Sequence, residues 1–140
     1  IYDDQSARLK KISDDGKLMT ETVDLRQVLS VMPSPEKIID RDGFVYVYDP
    51  AKGLYVFDYY GALKNELPIT QLTDLQVIGR TIVGRRDNKF VKYTLGSFDL
   101  QEFLLPESIQ KAEKICIMPL GIYVMQDGNV EIYSFGQENQ

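Results

Sequence analysis

The side chains best able to do chemistry in this sequence are carboxylates, and they come in close pairs: Asp3-Asp4, Asp14-Asp15, Asp40 with Asp42, and Asp49 with Asp58. Converging carboxylates bind calcium, but a linear calcium loop needs an acidic first residue, Gly at its sixth position and Glu at its twelfth, and no stretch here has all three. Asp14-Asp15-Gly16 and Asp40-Arg41-Asp42-Gly43 stand where the chain must turn. An aspartate there bonds its own backbone, and that role outweighs metal binding. Asp40 is kept as a ligand candidate. Arg80, Arg85 and Arg86 surround one turn and form a second candidate, an anion-binding patch, against the simpler reading of a solvated turn.

Other chemistry is excluded by what is missing. The chain has no histidine, so imidazole acid–base catalysis, Ser–His and Cys–His nucleophiles and imidazole metal sites are all ruled out. It has neither a phosphate-cradling Gly-rich loop nor a Gly-x-Ser-x-Gly elbow. Its one cysteine, Cys116, sits in an apolar run and reads as a small buried hydrophobe. No cofactor, metal or catalytic residue is expected, and the chain reads as a non-enzyme.

With 140 residues, 44% hydrophobic and 26% charged, the chain is globular by composition. No apolar run reaches the roughly 18 residues of a membrane span. Sixteen basic residues stand against 21 acidic ones, so the basic footprint of a nucleic-acid binder is absent. Ile1 in place of an initiator Met suggests a processed or excised piece. The compartment is unknown, with a lean toward an exported protein from the acidic balance and the lone Cys.

The elements that must position these groups repeat along the chain. An alternating apolar run ends in glycine four times, at Gly16, Gly61, Gly96 and Gly136, with spacings of 45, 35 and 40 residues. Upstream lie Ile1–Asp4, Val45–Asp49, Ile82–Asp87 and Tyr123–Asp127, and upstream again Glu36–Asp40, Leu75–Gly79 and Glu113–Ile117. A fourth run follows three of the glycines: Leu18–Thr22, Leu63–Leu67 and Leu100–Leu104. The period is two, the residues are β-branched and aromatic, and the breaks are turn-formers, so every run reads as a strand. Asp49-Pro50-Ala51-Lys52-Gly53 and Asp127-Gly128-Asn129 read as hairpin loops. Phe44–Tyr48 and Ile115–Met118 are apolar on both faces and should be covered on both. Seven tyrosines, Tyr46, Tyr48, Tyr55, Tyr59, Tyr93, Tyr123 and Tyr133, lie in or beside strands, where core or half-core packing outweighs a sugar-stacking platform. Asp24–Met32 alone has helical spacing; it reads as a connector of a turn or two, ended by Pro33 and Pro35.

Four-stranded units of about 40 residues are the signature of β-propeller blades. Gly43-Phe44-Val45-Tyr46-Val47-Tyr48-Asp49-Pro50, followed by Gly53-Leu54-Tyr55-Val56-Phe57-Asp58-Tyr59-Tyr60-Gly61, resembles a blade of the NHL/TolB-like, six-bladed type of propeller. The Trp-Asp and Gly-His marks of WD40 blades are absent, since the chain has neither Trp nor His. The expected architecture is an all-β segment, 1–140, of about three and a half four-stranded antiparallel blades. They are placed at about 1–34 (partial), 35–72, 73–110 and 111–140 (partial). The first unit starts at its second strand and the last stops at its third, giving 14 strands. Such an arc should be completed by other polypeptide: a protein partner, a second copy or remaining blades. The resemblance implies a non-catalytic scaffold for protein–protein contact. The alternative is a ligand-binding, carbohydrate-binding or carbohydrate-active propeller with its site in the central funnel, where Asp40 would point.

Overall fold

The computed structural model describes residues 1–134. It is all-β, with 14 strands among the described residues arranged as four antiparallel meanders. The first holds β1 (Tyr2–Asp3), β2 (Arg8–Ile12) and β3 (Leu18–Glu21). The second holds β4 (Lys37–Arg41), β5 (Phe44–Asp49), β6 (Gly53–Asp58) and β7 (Leu63–Leu67). The third holds β8 (Thr73–Ile78), β9 (Thr81–Arg86), β10 (Lys89–Thr94) and β11 (Leu100–Leu104). The fourth holds β12 (Lys114–Met118), β13 (Gly121–Gln126) and β14 (Asn129–Tyr133). Every strand pairs only with its neighbours in sequence, the order of a propeller blade. Counts of three, four, four and three match the repeat arithmetic; Gly136 lies outside the described residues. No helix is long and apolar enough to cross a membrane.

The turns follow from residue chemistry. Asp42 and Gly43 (φ 50° and 85°) join β4 to β5, and Asp127 and Gly128 (φ 51° and 75°) join β13 to β14. Two positive φ values in a two-residue loop make the hairpin turn whose twist suits the strands it joins. In the Pro50 loop, Asp49 is buried, and its carboxylate accepts the Ala51 N–H at 2.8 Å and the Ser34 N–H at 2.8 Å. That carboxylate ties the loop to the incoming connector. It stands at the opposite end of the β5–β6 hairpin from Asp58, so these two do not converge.

The chain forms two compact units, Ile1–Gln71 and Leu72–Gln140. In the first, Leu9 of β2 packs with Val47, Tyr55 and Phe57 of the second sheet. Leu25 and Leu29 of the connector complete the cluster. The helical spacing of that connector yields one 3-10 turn, Leu25–Gln27, that buries Leu25 and leaves Val28 and Val31 exposed. In the second unit a matching 3-10 turn, Glu107–Ile109, follows Pro106. It carries Ile109 beside Leu105, Ala112, Ile115 and Val124.

Asp24 caps the first of these turns, accepting the Arg26 N–H at 3.0 Å and gripping the Arg26 guanidinium at 2.6 and 2.8 Å. Arg26 holds the Asp24 carboxyl down at about 2, against an ordinary value of 3.8. Because the folded state has the lower pKa, this contribution is present above about pH 3.8 and is lost as the pH falls toward 2. Asp24→Asn is expected to lower the melting temperature at neutral pH, and the gap to the parent should close near pH 2. Thermal melts at stepped pH check it.

Three expectations need correction. The strands covered on both faces are the middle ones: β5 and β6 are buried almost throughout, whereas β4 has no buried residue and β12 buries only Ile115. An edge strand with no sheet against one face stays wet however apolar it is. Cys116 on β12 is therefore only half-buried. The tyrosines divide: Tyr46, Tyr48, Tyr55 and Tyr93 are core, but Tyr59, Tyr123 and Tyr133 are exposed.

Candidate functional site

The first unit holds a cleft of about 300 Å³, near the lower end of the range for small-molecule sites. Its apolar floor is Leu9 of β2, Val45 of β5 and Phe57 of β6, with Ile38 of β4 beside them. Alternation along each strand puts these side chains on the face between the first and second sheets. The rim carries charge from three strands and a turn: Lys11 of β2, Asp40 of β4, Asp58 of β6 and Tyr59 just after it.

Most charges near the cleft are already matched. Lys10 pairs with Asp3 at 2.6 Å and Glu21 with Arg8 at 2.8 Å. Asp58 accepts the N–H groups of Tyr60 and Ala62, both at 2.9 Å, and pairs with Lys64 at 3.3 Å. The Ile1 ammonium, also at the cleft, donates to the Lys10 carbonyl at 2.8 Å. Two charged side chains remain, and both contact Tyr59. The Lys11 ammonium lies 4.9 Å from the centre of the Tyr59 ring, a cation–π contact, and among the described residues no carboxylate pairs with it. The Tyr59 hydroxyl donates to Asp40, whose carboxylate pushes the phenol pKa up.

Asp40 is thus the sequence candidate that the structure places at this cleft; Arg85 lines only a cavity of about 10 Å³ in the other unit. The three arginines do not gather. Arg80 donates to the Leu95 carbonyl at 3.4 Å. Arg86 pairs with Glu102, which also holds Lys89. Arg85 is mostly buried, pairs with Asp74 at 2.9 Å and donates to the Ala112 carbonyl at 2.6 Å. It joins the third sheet to the chain entering the fourth. Asp74 and Gln76 on β8 reinforce that junction. Asp74 accepts the Ile115 N–H at 3.0 Å; Gln76 accepts the Ile117 N–H at 2.8 Å and donates to the Ile117 carbonyl at 3.2 Å. Among the described residues, no three His, Cys, Asp or Glu side chains gather closely enough to hold a metal ion.

No family model matches the sequence, and no curated protein matches it. Among solved structures, the chain resembles the crystal structure of the computationally designed Ika4 protein. The TM-score is 0.55 and the identity 14%, over 86% of this chain and 74% of that one. At that identity the likeness is one of fold.

Sequence reasoning missed Lys11 and Tyr59 as a pair. Nothing in the local sequence marks Lys11, and Tyr59 reads as a strand-flanking packing residue; only the packing of two sheets puts one over the other.

A second surface stands out in the other unit. On the fourth sheet, cross-strand pairing lines up Cys116, Tyr123 and Ile132 in one row, and Lys114, Met125 and Val130 in the next. Ile132 and Val130 are 66% and 61% exposed, and Tyr123 and Met125 are also exposed. The opposite face buries Ile115 and Val124. The first sheet differs: its corresponding strands carry the Asp3–Lys10 and Arg8–Glu21 ion pairs.

Proposed function

We infer that this chain is a non-catalytic scaffold of NHL/TolB-like blades that docks another polypeptide through the apolar face of its fourth sheet. The supporting observation is that face itself, where Tyr123, Met125, Val130 and Ile132 form one exposed patch. Soluble monomers rarely leave such a contiguous patch bare. A second copy of this chain carries the same apolar face and is a partner of matching chemistry.

The test is sedimentation of the purified chain across a concentration series. Self-association is expected, and Met125→Lys with Ile132→Lys should weaken it by about tenfold or more, since a charge is disfavoured at an interface core. Both positions are exposed, so the melting temperature should stay within a few degrees of the parent's. A chain that stays monomeric at every concentration overturns the reading.

A further inference from the structure

We propose that the cleft of the first unit binds a small zwitterion with an apolar side chain, of the chemical class of a free aliphatic α-amino acid. The argument rests on charge complementarity around one ring. Of the charged side chains that line the cleft, all but two are matched within the chain, and those two are opposite in sign; the Ile1 ammonium, which also lines it, donates to the Lys10 carbonyl at 2.8 Å. Lys11 faces the cleft with only the Tyr59 ring beneath its ammonium. Asp40 accepts a single hydrogen bond, from the Tyr59 hydroxyl, and a carboxylate has room for further donors. A lone anion would gain Lys11 but meet Asp40, and a lone cation would gain Asp40 but meet Lys11. A molecule that carries ammonium and carboxylate on the same carbon satisfies both. Its side chain then lies on Leu9, Val45 and Phe57, where about 300 Å³ is open.

The geometry gives each group a role. Tyr59 sets the spacing between the two charges: it seats Lys11 on its face and holds Asp40 at its hydroxyl. Lys11 takes the ligand carboxylate and Asp40 its ammonium. This site is separate from the fourth-sheet surface, so either reading can fail without the other.

The test is calorimetry on the full chain with three probes. L-leucine carries both charges, 4-methylpentanoate lacks the ammonium, and 3-methylbutylamine lacks the carboxylate. Leucine is expected to bind saturably, with each of the other two weaker by about tenfold or more, as the loss of one charge-assisted contact predicts. Lys11→Met should weaken leucine by a similar factor and leave the amine no weaker. Asp40→Asn should weaken leucine and leave the acid no weaker. Both side chains are exposed, so melting temperatures serve as the folding control. Absence of saturable leucine binding, leucine affinity unchanged in both variants, or either single-charge probe binding as tightly as leucine would each overturn the proposal.

Discussion

Gly53→Ala should cost about 2–5 kcal/mol of stability in urea unfolding, the largest loss expected from adding a single methyl group to this chain. Two independent penalties combine there. Gly53 has φ 129°, a conformation that side chains rarely adopt, and a Cβ would stand 2.3 Å from the Leu67 carbonyl oxygen. The next contacts, at 3.2 and 3.3 Å, are also backbone, from Leu67 and Pro68, so no flexible side chain can move aside. Leu67 closes the β6–β7 ladder opposite Leu54, so yielding would break the pairing of the second sheet. Two further alanine substitutions separate the terms. Gly128 has φ 75° and nothing within 4 Å, so Gly128→Ala should show the backbone cost alone, about 1–2 kcal/mol. Gly121 has no positive φ, but its Cβ would meet the Tyr133 carbonyl at 2.5 Å, so Gly121→Ala should show the clash alone, about 1–3 kcal/mol. A Gly53→Ala loss no larger than either would refute the account.

Arg85→Met is the second large effect, expected to cost about 3–5 kcal/mol. The Arg85 and Asp74 side chains are only 11% and 12% exposed. Removing the guanidinium leaves the carboxylate with the Ile115 N–H as its remaining partner and strips the Ala112 carbonyl of its donor. A one-sided deletion of a buried pair costs more than the pair contributes, because it leaves an uncompensated charge behind. The double variant Asp74→Asn with Arg85→Met should therefore lose less than the two single losses added together. Hydrogen exchange gives a local readout: the Ile115 and Ile117 amides should exchange faster in Arg85→Met, and amides of the first unit should not. Strictly additive losses would show that the two groups act independently.

Strand number and turn positions were readable because they depend on local chemistry. Period two together with Asp-Gly, Pro and Gly punctuation locates Phe44–Asp49 and Gly53–Asp58 without knowledge of their neighbours. What pattern cannot supply is whether a face has a sheet against it. Ile38 and Met118 are as apolar as Val47, yet they are exposed because they lie on outer strands of their sheets. The 3-10 turn at Glu107–Ile109 gave too short a period to detect, although Pro106 marked its start. Asp40 could be singled out by its place at a strand end. Its partner Tyr59 and the cation above that ring are distant in sequence and meet only through tertiary packing. Arg85 carried the same limitation, since its acceptors at Ala112 and Glu113 belong to the next sheet's approach.

The side-chain ladder from Asp74 and Gln76 to β12 divides the evolutionary constraint unequally between its two strands. The donor strand must keep particular residues at alternate positions, and Asp74 must also hold a left-handed backbone with φ 53°. Apart from the Cys116 sulfur, which accepts from Gln76 at 3.4 Å, the receiving strand offers main-chain N–H and C=O groups at Ile115 and Ile117, which every residue except proline provides in full. Substitutions can therefore accumulate in β12, limited by the packing of Ile115, without loosening the junction, whereas β8 has little such freedom. Repeats joined in this way can lose sequence resemblance to one another and still stay fastened.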